Sequence, residues 1–169
     1  HLQQPLLGML RYATAEPFTR VVLLYDRHHA GFFHSAGLRN VFWFPGLTFP
    51  HDDETVLRAR KAGPRVSQIA FVGQAGKFHP RRARLLEALR QKGLAVEQKA
   101  VSQGEALQLY GKSSLVFNAS LNGDLNLRVF EVLAAGSALL TDRLSPEAGL
   151  GRLFQDGRDL LCYGSAEEM

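Results

Sequence analysis

The chain has 169 residues, 46% apolar and 21% charged, with a formal net charge of +4. No apolar run approaches the ~20 residues that a membrane span requires, and the opening HLQQPLLGML lacks the basic and apolar regions of a signal peptide. The single Cys162 excludes an intramolecular disulfide and fits a reducing, cytoplasmic setting; it falls in the apolar segment DLLCYG and is read as a packed thiol rather than a nucleophile.

In chain order, residues 1–50 predict an amphipathic helix (Leu6–Tyr12), a strand (Arg20–Tyr25), a short apolar helix closed by Gly37, and a strand Val41–Phe44 ending at Pro45. Two strands are too few to cover a sheet, so this part is expected to be the tail of a preceding α/β domain. From Phe49 to Val66, Pro, Gly and charge dominate, which predicts a linker or connecting helix, with residues 51–66 as the boundary. Strand Gln68–Val72 then leads to helix Arg81–Gln91, with Pro80 at its first position and Gly93 past its end. Strand Leu94–Lys99 follows, and then helix Gln103–Tyr110, whose start carries the capping-box pair Ser102 and Glu105.

Strand Leu115–Phe117, a polar loop Asn118–Asn126, helix Leu127–Ala135 with Gly136 as its C-cap, and strand Ser137–Thr141 form the next unit. A short helix near Pro146–Phe154 and strand Asp159–Tyr163 complete the pattern. Ser165 and Glu168 predict a further capping box just before Met169, so the chain is expected to be a piece of a longer protein. Five strands alternating with helices from residue 67 onward predict a doubly wound, parallel, Rossmann-like sheet.

Charge is unevenly placed. Residues 58–92 hold ten Lys or Arg and one acid, whereas the rest holds ten basic and fifteen acidic residues. Such a stripe suits phosphate in a nucleotide, a nucleic acid or a lipid head group. Within it, FVGQAGKFHPRR places Gly73, Gly76 and Lys77 between a strand and a helix start, without the spacing of a P-loop or of GxGxxG. Gly73 allows close backbone approach, and Lys77 with Arg81 can neutralise a diphosphate. The loop after Phe117 opens on Asn118, carries Gly123 and Asp124, and delivers Asn126, Arg128 and Glu131 to the first turns of a helix at the carboxyl edge of the sheet. A carboxylate at Glu131 can accept two hydrogen bonds from a ribose diol, and Arg128 lies three residues earlier on the same face. His28, His29, His34, His51, Asp52 and Asp53 do not have metal-ligand spacing, so no metal is expected. One of these histidines is a candidate catalytic base, and the catalytic residue is left unassigned.

The stretch NLRVFEVLAAGSALLTDR, followed by LFQDGRDLLCYGSAEEM, resembles the C-terminal half of GT-B glycosyltransferases of the group 1 kind. The likeness is strongest to the bacterial branch containing the spore-maturation protein CgeB. It extends to FVGQAGKFHPRR as the first strand and loop of a donor domain and to GLRNVFWFPGLTFP as the end of an acceptor domain. The resemblance implies a hexosyltransferase-like enzyme in which residues 67–169 bind a nucleotide-sugar donor. Residues 1–50 would belong to the acceptor side, completed by the remaining N-terminal domain of the same protein. Glu131 matches the glutamate that takes the ribose hydroxyls in related retaining enzymes, and Arg128 and Asn126 match the branch's motif, for the phosphates and the loop geometry respectively. A second glutamate usual in those enzymes is replaced by Gly123, with Asp124 adjacent, which leaves a non-catalytic sugar-nucleotide-binding module as an alternative. A nucleic-acid binder using the basic stripe ranks last, because only Phe71 and Phe78 interleave it. No cofactor is expected beyond the nucleotide-sugar substrate, and sugar, base, acceptor and stereochemical outcome stay open.

Overall fold

The computed structural model describes residues 3–15, 21–23, 27–45 and 49–169. The first unit comprises helix α1 (Gln3–Ala15), strand β1 (Val21–Leu23), helix α2 (His28–Ser35) and strand β2 (Val41–Trp43). Of the expected strand over 20–25, residues 20, 24 and 25 lie outside the described residues. β1 and β2 pair in parallel, and a small cluster of Ala13, Phe33 and Val41 joins β2 to the two helices.

Helix α3 (Asp53–Arg60) occupies the segment read as a linker or connecting helix. Its ends are strongly specified: Asp52 Oδ1 accepts from Thr55 N at 2.7 Å, acids occupy the first turn and arginines the last, complementing the helix dipole. α3 does not hang free. Ala59 is fully buried, and Arg60 Nε donates to the Ala134 carbonyl at 2.6 Å.

The remaining elements are β3 (Val66–Val72), α4 (Pro80–Gln91), β4 (Val96–Lys99), α5 (Gln103–Lys112), β5 (Ser113–Phe117), α6 (Leu127–Ala134), β6 (Ala138–Asp142), a 3-10 turn (Pro146–Ala148), α7 (Leu150–Leu153) and β7 (Leu161–Tyr163). The expected parallel sheet is present: five strands in the order β4-β3-β5-β6-β7, every neighbouring pair parallel. Both faces are covered, and side-chain alternation decides which residue goes where. Ala70, Val72, Val116 and Leu139 face the cluster built with α3, α5 and α6. Ile69, Phe71 and Phe117 face Leu85, Leu86 and Leu89 of α4.

Most strand and helix ends shift by one to three residues from expectation, and three departures near the C-terminus have identifiable local causes. The helix expected over 146–154 is split at Gly149, which is left-handed (φ 89°) and packs so closely on Trp43 that a Cβ would lie 2.7 Å from the ring. β7 begins at Leu161 instead of Asp159, because the Asp159 carboxylate accepts from Gln155 N at 2.8 Å and closes a turn. The Ser165–Glu168 box is replaced by a turn in which Glu168 accepts from Gly164 N at 2.8 Å and Ser165 from Glu167 N at 3.3 Å.

Candidate functional site

Numbered from β3, the sheet order is 2-1-3-4-5, so the strand order reverses between β3 and β5. Connections leave these two central strands in opposite directions and open a crevice at their carboxyl ends, where open α/β sheets bind ligands. Gly73 follows β3 and Asn118 follows β5, so two of the sequence candidates stand directly at the switch point.

Asn118 is 1% exposed and organises this edge. Its Nδ2 donates to Thr141 Oγ1 at 3.0 Å, and its carbonyl accepts from the Tyr163 hydroxyl at 3.0 Å. Its Oδ1 accepts from Arg128 Nη1 at 3.0 Å and from Asn126 Nδ2 at 3.4 Å. Arg128 is held on two further sides: Nε donates to the Tyr110 hydroxyl at 3.2 Å, and the guanidinium lies 5.5 Å from the Phe71 ring centroid. Gly73 (φ 138°) permits this placement, since a Cβ there would come within 3.3 Å of Arg128 Nη2. Asn126 precedes α6 without a side-chain cap bond, and its Oδ1 is the buried side-chain acceptor without a partner among the described residues.

Tyr110, Asn126 and Arg128 border a cavity of about 330 Å³ whose lining also includes Arg82, Asp124 and Glu131, whereas Gly73 and Asn118 are not part of that lining. Arginines thus meet carboxylates across one concave surface, and Val72, Val101 and Ala106 supply an apolar wall. Four of the named candidates come together here: Asp124, Asn126, Arg128 and Glu131. Glu131 is buried, and its Oε1 lies 3.3 Å from His51 Nε2.

Lys77 and Arg81 do not line this cavity. Lys77 is exposed in the turn before α4. Arg81 donates from Nη2 to Asp142 Oδ2 and from Nη1 to the Ser120 carbonyl, both at 3.0 Å. Asp142 in turn accepts from Ser120 N at 3.0 Å and from its hydroxyl at 2.5 Å, so Arg81 braces the 118–126 loop from behind. Gly76 (φ 133°) bridges to His79 in the same turn as Lys77, away from the cavity lining.

The adjacent Arg82 takes the inward position. It is 9% exposed, and its Nε and Nη2 donate to the Ala119 carbonyl at 3.0 and 2.9 Å. Burial, then the neighbouring Arg128, lower its pKa from the ordinary arginine value, while Asp124 and Asp142 act in the opposite sense. Two like charges are therefore crowded at one end of the cavity, an arrangement that favours an incoming anion. Burial raises the Tyr110 pKa, so its phenol stays neutral and available to Arg128. Arg82 and Tyr110 were missed as site residues, and His51 was considered only as one of several histidines that could serve as a catalytic base. The helical period of PRRAR could have shown that Arg81 and Arg82 face different ways, but not which one meets the cavity; His51 and Tyr110 give no local signal.

Among the described residues, no three His, Cys, Asp or Glu side chains are grouped to hold a metal ion. His34 Nε2 lies 3.0 Å from the Val41 carbonyl, which satisfies it locally. Cys162 is partly buried, and burial followed by Asp156 pushes its thiol pKa up, against a nucleophilic role. The basic stripe disperses: Arg60 and Arg82 bind backbone carbonyls, Arg81 an acid, and Arg58 and Arg90 lie within 4.0 and 3.8 Å of neighbouring glutamates.

An all-parallel five-stranded sheet covered by helices, with a charged cavity at its switch point, defines a Rossmann-like α/β domain. A family model described as glycosyl transferase-like matches residues 54–169, more than half of the chain. The chain belongs to that family. No curated protein matches it. The matched region begins at α3, so the helix that packs on α5 falls within it.

Proposed function

We propose that this chain is the donor-binding part of a GT-B glycosyltransferase of the CgeB-related branch, using a nucleotide sugar. Residues 67–169 would form the donor domain and residues 1–50 part of the acceptor side. The single observation that carries this is the cavity at the switch point, with Arg82 and Arg128 beside the start of α6 and the Glu131 carboxylate in the same lining. The first pair and the unpaired N–H groups at the helix start suit a diphosphate, and the carboxylate suits ribose hydroxyls.

Transfer breaks the bond between the anomeric carbon and the diphosphate oxygen, and the electron pair leaves with the diphosphate. The acceptor hydroxyl oxygen bonds to the anomeric carbon, and its proton passes to the departing diphosphate oxygen or to solvent. Arg128, already fixed by Asn118, Tyr110 and Phe71, needs no rearrangement to meet the charge developing on the leaving group. Such preorganised groups are where catalytic stabilisation is largest. Lys77 is assigned to the outer end of the diphosphate, and Arg81 to holding the loop through Asp142. Asn126, with Asp124 beside Gly123, would shape the approach of the sugar. These roles require no metal.

The test is a thermal-shift titration with UDP, GDP, dTDP and CDP. A ligand that binds only the folded state raises the midpoint. Elevation by one base supports the donor reading and names the donor class. No elevation with any of the four, in a folded sample, would count against a donor site on this chain.

A further inference from the structure

Glu131 is a buried carboxylate at the cavity, and burying a charge is costly unless it is paired and hydrogen-bonded. An ionised carboxylate offers about four acceptor sites on its two oxygens. Its one protein partner among the described residues is His51, at 3.3 Å from Oε1. Oε2 has no such partner, yet it is not among the buried atoms cut off without one. It therefore stays open, on a residue that lines the cavity.

His51 is well held. Its side chain is 5% exposed, and its ring meets Phe49 edge to face at 5.3 Å. The next residue, Asp52, caps α3, and Arg60 at the far end of α3 is tied to the last turn of α6. The segment carrying His51 is thus fastened against the helix that carries Glu131, 80 residues later in the chain.

We propose that His51 is a positioning residue: with its proton on Nε2 it donates to Glu131 Oε1, fixing the carboxylate so that Oε2 receives a ribose hydroxyl of the donor. The inference rests on the ribose reading of Glu131 and adds a specific consequence. Selectivity for ribose over 2′-deoxyribose depends on a residue outside the sheet, on the segment between β2 and α3. An unaimed carboxylate still tolerates a nucleotide but no longer prefers the diol.

The experiment measures calorimetric affinities of UDP, GDP and CDP and their 2′-deoxy counterparts for the unaltered chain, His51→Phe, His51→Gln and Glu131→Gln. Phe keeps the ring packing and removes the donor, whereas Gln keeps an N–H at similar reach. For the base that binds, the unaltered chain is expected to prefer the ribonucleotide by about tenfold, the scale of one hydrogen bond to a charged group. His51→Phe should lose most of that preference with deoxynucleotide affinity nearly unchanged, and His51→Gln should restore it. A purely structural role would weaken both nucleotides alike. Preference retained in His51→Phe but lost in Glu131→Gln overturns the positioning role alone. Preference retained in Glu131→Gln, or no binding of any diphosphate by the folded chain, overturns the ribose reading as well.

Discussion

Arg128 illustrates how one side chain is made ready by its neighbours. A hydroxyl, an amide oxygen and an aromatic face each take one side of the guanidinium, leaving Nη2 directed past Gly73. Removing it by Arg128→Met should weaken binding of the matching nucleoside diphosphate by about 1.5–3 kcal/mol, the range for a hydrogen bond to a charged group. The free nucleoside serves as an internal control in the same calorimetric titration; an equal loss for both would remove the phosphate role. Glu131→Ala should cost about 1–3 kcal/mol and act on nucleoside and diphosphate alike. Unchanged affinity in that variant would end the ribose assignment.

At the scale of elements, α3 and α5 approach each other backbone to backbone at Ala59 and Gly111. Gly111 lies so close to α3 that a Cβ would come 2.0 Å from the Ala59 carbonyl oxygen, a rigid backbone atom. Gly111→Ala must therefore separate the helices, and a loss of about 1–3 kcal/mol in denaturant unfolding is expected, as for other overpacked cores. A normal midpoint would mean that the helices slide apart without cost. Ser102→Ala is a milder change. It removes the acceptor of Glu105 N and the hydroxyl that donates to Glu105 Oε2 at 2.7 Å, and should cost about 1 kcal/mol. Placing both variants in one unfolding series separates a capping effect from a packing one.

Across the whole molecule, stability should fall in acid for a reason spread over several ends of elements. Asp52, Glu105, Asp159 and Glu167 all have pKa values below the ordinary 3.8 for Asp and 4.5 for Glu, each chiefly because the folded chain hydrogen-bonds the carboxylate. A carboxyl group whose pKa is lower folded than unfolded stabilises the fold above its unfolded value. That contribution is lost as the pH falls through the folded one. The thermal midpoint is therefore expected to hold above pH 4.5 and to decline below it as these groups protonate. Replacing Asp52 with Asn should flatten part of that decline, and an unaltered acid profile in Asp52→Asn would show that the α3 cap does not contribute.

The alternation of buried strands with helices, the capping residue Ser102, and the loop that delivers Asn126, Arg128 and Glu131 were legible in the sequence, because periodicity and capping are local in the chain. The parallel sheet followed from that alternation, and the glycosyl transferase-like character from the resemblance carried by NLRVFEVLAAGSALLTDR and LFQDGRDLLCYGSAEEM. Other features were decided by distance in space. Of two adjacent arginines, Arg81 turned to Asp142 and Arg82 turned inward, because β6 supplied an acid behind the loop. Asn118 became the hub of the site by standing beside Thr141, Arg128 and Asn126. His51 reached Glu131 only because α3 is tied to the last turn of α6. Local patterning determines which face of an element is buried. Partner choice for a polar side chain depends on which other element arrives at that face, and only the tertiary structure brings them together.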